Sequence, residues 1–256
     1  MALLQHELND GGSARQGQGG TQVTLEIGPA APAPPPPVGP PLQPLTGPAA
    51  LHALAYNAIL AEDVAALKAL HEQSFPVSYN DRFYGEVAKQ QYLGRPLISV
   101  VAKGGGELVA GITAQIKLLN PEDAEQPHLD AASRERGFSR GCYVMTLATA
   151  ERARRMGIGS VLLEHVLAAA ERDPSCGVVY LHVITYNESA IRFYERHGFC
   201  RLRTVQGFYN INGQSFNSFL YARFLAGCER APESKALSLW ETVLETCSAI
   251  YSRFFA

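Results

Sequence analysis

Apolar residues are sparse and unpatterned as far as about residue 50, and become periodic from Leu51 onward. The early stretch holds Gly11-Gly12, a glycine-rich run from Gly17 to Gly20 and the run Pro34 to Pro37, which break regular structure and supply no core. It reads as a solvated leader over residues 1–50, and its prolines also fit an SH3-type ligand. Beyond it, Val64, Leu67 and Leu70 recur at helical spacing through Ser74, with Asp63 placed to cap that helix. A second short helix is expected over Asp81–Tyr92, with Phe83, Tyr84 and Val87 inward. Leu97–Ala102 reads as a strand, Gly104-Gly105-Gly106 as a tight turn and Glu107–Leu118 as the returning strand. Residues 119–140, polar and interrupted by Pro121 and Pro127, read as a surface excursion.

Cys142–Ala148 follows as an apolar strand. Gly157–Arg172 is an amphipathic helix with Ile158, Val161, Leu162, His165 and Leu167 spaced for burial. Val178–Ile184 is a buried strand, and Asn187–His197 a short helix stopped by Gly198. Two last strands run roughly over Phe199–Gln206 and Phe216–Phe224. This order predicts an α/β class, a mixed sheet with one parallel crossover flanked by helices. The folded domain spans 51–228. In the remaining segment, 229–256, Leu239, Trp240, Val243, Leu244, Cys247, Ile250, Tyr251 and Phe254 share one helical face opposite Glu241, Thr242, Glu245, Ser248 and Ser252. Such a face fits a membrane interface or the protein's own surface. The scarcity of Lys and Arg weakens its attraction to anionic lipid.

Composition narrows the class. The net charge is −2 and 46% of residues are apolar, so a sizeable core is within reach and no basic excess points to nucleic acid. The five cysteines are scattered, odd in number and form no C-x-x-C pair, which favours reduced thiols in a cytoplasmic setting over disulfides or a metal site. No apolar run reaches the roughly 18 residues of a spanning helix. Glu7, Asp10 and the scarcity of early arginine argue against a secretory signal or an organellar transit peptide.

The chemistry concentrates in Arg154-Arg155-Met156-Gly157-Ile158-Gly159, after a strand and at a helix start. Two glycines there let backbone approach a ligand, and the unpaired amides carry the positive end of the helix dipole. That is a diphosphate cradle, with Arg152, Arg154 and Arg155 adding charge. No Gly-Lys-Ser/Thr follows, and the third glycine of a dinucleotide fingerprint is missing. Taken alone, the pattern also fits a glycine-softened turn.

R-x-x-G-x-G at this place resembles the acetyl-CoA motif of the GNAT superfamily. Asn187-Glu188-Ser189-Ala190-Ile191-Arg192-Phe193-Tyr194 resembles that family's second cofactor segment. Phe75-Pro76-Val77-Ser78-Tyr79-Asn80-Asp81, Tyr143-Val144-Met145-Thr146-Leu147 and Tyr180-Leu181-His182-Val183 resemble the substrate loop and catalytic strands of N-terminal acetyltransferases of the NatE and NatF types. The resemblance implies the GNAT fold and acetyl-CoA as cofactor. It places the cofactor against Leu147, Ala148 and Thr149, Arg152, Arg154, Arg155, Met156, Gly157, Ile158, Gly159 and Ser160, and Asn187, Ser189, Ala190, Phe193 and Tyr194. It implies Tyr143 and His182 as the catalytic base pair, and Tyr194 as proton donor to the departing thiolate.

For the substrate, a protein N-terminal peptide, it implies an apolar rim from Phe75, Pro76 and Val77, with Tyr79 bonding the peptide backbone and Met145 nearby. Phe208 and Tyr209, in the loop before the last hairpin, close the other side around a first residue such as methionine. The two parallel strands should splay beyond Leu147 and beside Val183, leaving backbone for the pantetheine arm. NatF-type enzymes have a membrane-binding tail, which implies peripheral contact through 235–255 on the cytosolic face of the Golgi or plasma membrane. NatE-type enzymes join a ribosome-bound complex, but no docking surface for an auxiliary subunit is legible. Two other functions fit the same motifs: a lysine or small-amine acetyltransferase, and a non-catalytic acetyl-CoA-binding scaffold.

Overall fold

The computed structural model describes residues 54–231. The leader 1–50 and the amphipathic segment 235–255 lie outside the described residues. The strands are β1 (Ala55–Ala58), β2 (Gln91–Tyr92), β3 (Arg95–Pro96), β4 (Ile98–Gly104), β5 (Glu107–Leu118), β6 (Arg140–Thr149), β7 (Cys176–Ile184), β8 (Cys200–Ile211) and β9 (Gln214–Phe224). The helices are α1 (Val64–Ser74), α2 (Asp81–Val87), α3 (Ala131–Glu135), α4 (Ile158–Glu171) and α5 (Glu188–Arg196). Seven strands form one sheet in the order β1-β4-β5-β6-β7-β9-β8. Only β6 and β7 run parallel, and α4 makes the crossover between them. The expected mixed sheet flanked by helices is the observed fold.

Hydrophobic patterning accounts for the layers. Every residue of β7 is buried, as its unbroken apolar run requires of a central strand. Helix α4 packs across β4 to β7, burying Ile158, Leu162, Leu163, Val166, Leu167 and Ala170. His165, expected inward, is exposed, and Val166 takes the buried position. The hairpin turn is Gly105-Gly106, since Gly104 pairs with Glu107.

Several boundaries differ from the expected ones. Strand β1 has no alternating pattern and was not legible; it pairs along β4 at the sheet edge. Helix α2 stops at Val87, because the chain reverses through Gln90 and Leu93, both with positive φ, into the small β2–β3 hairpin. Asp63 does not cap α1 with its side chain. Its carboxylate instead accepts from the Leu60 amide and pairs with Lys103. The excursion between β5 and β6 is folded: Asp130 caps α3 by accepting from the Ser133 amide, Leu129 and Ser133 are buried, and Leu129 bridges to Arg230.

Where β7 begins, Gly177 is the extra residue in its register with β6. A Cβ there would lie 2.5 Å from Cys228 Sγ and 3.2 Å from Phe138 Cβ. Gly177→Ala is therefore expected to cost about 1–3 kcal/mol as an overpacked core site. The drop in Tm on thermal unfolding should be about 2–4 °C per kcal/mol for a chain of this size. An unchanged Tm would show that the Cys228 turn yields freely.

Candidate active site

The site opens where two neighbouring strands part. Strands β6 and β7 stay in register only from Arg140 to Tyr143 and from Cys176 to Tyr180. The splay thus begins just past Tyr143, four residues earlier than the expected point at Leu147. Its cause lies on the other side of β6. Thr113 of β5 pairs with Thr146 and Ala114 with Val144, leaving Met145 as an unmatched bulge residue. A bulge bends its strand and raises its twist, here swinging the end of β6 away from β7. A buried bond between Thr113 Oγ1 and Thr146 Oγ1, 2.8 Å, pins it.

The opened edge forms one wall of a cleft of about 1070 Å³. Leu147, Ala148 and Thr149 come from β6, Arg154, Arg155, Gly157, Ile158, Gly159 and Ser160 from the α4 entrance, and Asn187, Ser189, Ala190, Phe193 and Tyr194 from the α5 segment. Two separate motifs are thus brought to one place. Arg155 at φ 63 and Gly157 at φ 83 curl the chain before α4. The first amides of a helix have no intrahelical acceptor, and here they border the cleft with the positive end of the dipole. A Cβ on Gly159 would touch the Phe193 ring at 3.5 Å, so the protein itself leaves room for one there. These features fit a diphosphate with an extended arm laid along β6.

Two expected contributors are elsewhere. Arg152 pairs with Glu107 across the sheet end, and Met156 packs on the core. Others were not foreseen: Ser74, Glu151, Ala153, Arg196 and His197 also line the cleft. His197 Nδ1 lies 2.7 Å from the Phe193 carbonyl and Nε2 2.9 Å from Ser160 Oγ, tying α5 to the α4 entrance. The sequence signal was its position four residues after Phe193, just before Gly198. The Asn187 side chain caps α5 by accepting from the Ala190 amide.

Where the strands part stand Tyr143 and His182, with the phenol oxygen 3.3 Å from Nδ1. His182 is 2% exposed. Burial first, then Lys117 and Arg203, lower its pKa to about 3, while the backbone of Glu125 opposes the shift. The ring is therefore neutral throughout the physiological range. Lys117 Nζ lies 5.0 Å over the Tyr143 ring. Arg203 donates to the Gln126 carbonyl, and the Glu125 backbone acts on His182, so the excursion reaches that residue instead of staying at the surface.

Phe208 and Tyr209 are not in a loop. They belong to β8, at a bulge where residues 206–208 face Asn217 between the pairs Val205–Ser218 and Tyr209–Phe216. Gly207, at φ 64, permits it. The bulge lays the Phe208 ring flat on the imidazole, 3.9 Å between centroids at 16°, and Tyr209 donates its hydroxyl to the His182 carbonyl at 3.1 Å.

The segment from Phe75 to Asp81 hangs from a histidine that sequence reading missed. His71, at the end of α1, is buried among Phe75, Tyr79, Phe83 and Tyr84, with ring centroids 5.0 to 6.4 Å away. Its Nδ1 is 3.2 Å from Tyr84 Oη. This cluster buries Tyr79 and turns Phe75 into the cleft, while Val77 is half-buried and Pro76 exposed.

Both buried histidines make stability pH-dependent. Desolvation lowers His71 to about 4, beside His182 at about 3, against roughly 6.5 in the unfolded chain. Below pH 6.5 the unfolded state binds more protons, so stability is full above that value and falls as pH drops toward the folded pKa values. At about 1.4 kcal/mol per unit for each group, the expected loss from pH 7 to pH 4.5 is about 3–5 kcal/mol. Urea midpoints at the two pH values measure it, and His71→Phe should remove roughly half of the drop.

This geometry has counterparts. A model of the acetyltransferase (GNAT) family matches residues 64–199. N-alpha-acetyltransferase 60 of Xenopus tropicalis is 30% identical over 184 residues, covering 70% of this chain and 73% of that protein. An Arabidopsis thaliana protein named histone acetyltransferase MCC1 is 31% identical over 179 residues, covering 67% and 70%. Crystal structures of Arabidopsis thaliana NAA60, with a bisubstrate analogue and with acetyl-CoA, align with a TM-score of 0.58 at 32% identity, covering 68% of this chain and 99% of theirs.

Proposed function

Because this chain belongs to the acetyltransferase (GNAT) family, we propose that it transfers the acetyl group of acetyl-CoA to the α-amine of protein N-termini. The acetyl-CoA complex of the Arabidopsis relative supports the cofactor, and the name of the Xenopus relative supports the acceptor. When bound, the cofactor supplies a thioester whose C–S bond breaks as the C–N bond forms. The protein does the rest. The α4 entrance and Arg154 and Arg155 grip the diphosphate. The open edge of β6 pairs with the pantetheine arm in place of a strand. Amides near Leu147 and Ala148 hold the thioester oxygen as it takes up charge. Tyr143 and His182 accept the amine proton, directly or through a water, and Tyr194 gives one to the departing thiolate.

The name of the Xenopus relative carries the α-amine reading, and the burial of His182, which lowers its pKa to about 3, agrees with it. A base held near 3 has little thermodynamic pull on a proton, so the acceptor must be neutral, or nearly so, on arrival. An α-amine titrates at about 7.7–8.0 and lysine at about 10.4, a difference of roughly 3.5 kcal/mol. The name of the MCC1 relative favours the second reading, a lysine acetyltransferase. That reading requires the site to supply this difference. We place the reaction on the cytosolic side, where the scattered cysteines suit reducing conditions.

Phe75, Val77, Tyr79 and Met145 frame the acceptor side and favour an apolar first residue. Peptides beginning Met-Leu, Met-Ile or Met-Lys are expected to exceed acidic starts by about tenfold or more in kcat/KM. Steady-state assays on the two sets test this, and equal turnover of acidic starts contradicts it.

A further inference from the structure

A second cavity, about 220 Å³, lies under the folded excursion between β5 and β6. Its lining is mainly apolar, from Leu119, Pro121, Pro127, Leu129 and Phe138, with Arg134 beside them. Leu118, next to Leu119, exposes 64% of its surface. Nothing in the proposed chemistry uses this place.

The chain itself points to an occupant. Its last described residues run along the cavity's edge. The Asp130 amide donates to the Glu229 carbonyl at 3.2 Å, Arg230 bridges to Leu129, and the Ala231 amide donates to the His128 carbonyl at 2.9 Å. Both His128 and Leu129 line the cavity. The described chain therefore ends at the rim, and the apolar positions of 235–255 follow it in sequence. Trp240 is nine positions beyond Ala231. Nine residues span at most about 30 Å fully extended, so the cavity lies within its reach. The volume suits one large aromatic ring.

We propose that the 235–255 segment docks its apolar face on this cavity, with Trp240 as the side chain that fills it. An apolar face of that size needs a cover, and the cavity's edge is where the chain delivers it. The low count of Lys and Arg in the segment gives anionic lipid little to hold, which favours this cover over a bilayer. The inference does not depend on the acetyl-transfer reading.

Trp240 is the single tryptophan, so intrinsic fluorescence reports on it alone. The full chain in lipid-free buffer is expected to show blue-shifted emission and shielding from acrylamide. Leu119→Arg should abolish both while the melting temperature holds. Pro121→Arg, at an exposed lining position, gives the same readout should Leu119→Arg unfold the domain. Three results overturn the proposal. One is free quenching in buffer with shielding only on adding phosphatidylcholine–phosphatidylserine vesicles, which assigns the face to a membrane. Another is shielding that disappears on dilution together with a dimer's mass, which assigns it to a second copy. The last is shielding that neither folded variant changes.

Discussion

His182→Ala and Tyr143→Phe are each expected to lower kcat by about 10²-fold or more, the usual share of a positioned proton acceptor. The affinity for acetyl-CoA should stay near the parent value, because neither residue lines the cofactor cleft. The pH profile separates this from a packing defect. With His182 held neutral, no limb should appear near 6.5, and kcat/KM should rise once, through the amine's own titration at about 7.7–8.0. A limb near 6.5 that vanishes in His182→Ala would show an ordinary, solvated imidazole and contradict the burial argument. Since Phe208 stacks on the ring, thermal unfolding of each variant must accompany the kinetics. Wild-type rates in both folded variants would remove the pair from the mechanism.

Gly159→Ala is expected to abolish most cofactor binding with little effect on folding. The new Cβ makes ordinary contact with Phe193 at 3.5 Å. What it blocks is the close approach of a diphosphate to the α4 amides. Losing one charge-assisted bond there is worth about 1.5–3 kcal/mol, roughly 10- to 150-fold in Kd. Gly157→Ala should behave differently. Its φ of 83 lies in the left-handed region, so a side chain there also strains the fold by about 1–2 kcal/mol. Calorimetric titration with acetyl-CoA, beside thermal unfolding, distinguishes the two. Parent affinity in Gly159→Ala would mean that the diphosphate does not sit at this helix entrance.

Local signals in the sequence carried much of this. The triple glycine at 104–106 and the Gly-x-Gly opening α4 each act through neighbours in the chain, and the elements they bound stand close to where periodicity put them. Much of the cleft wall was legible for the same reason. The pairing of Arg152 with Glu107 was not legible because it is made across the sheet. The unread features are those that depend on pairing. The extra residue at Met145 and the bulge over 206–208 exist only relative to a partner strand, yet one opens the cleft and the other lays Phe208 on His182. The excursion looked like surface because its prolines and charges hide Leu129, Ser133 and the backbone near His182. His71 sat in the apolar register of α1, and only the surrounding rings reveal its burial.

The central claim is the nitrogen that receives the acetyl group. Incubating the full chain with acetyl-CoA and a peptide that carries both a free Met-Leu start and an internal lysine, then locating the product by fragment mass spectrometry, tests it directly. The account predicts an acetyl group on the α-nitrogen, with the lysine unmodified. Acetyl on the lysine at an equal or faster rate, or no transfer by a protein that binds the cofactor, would contradict it.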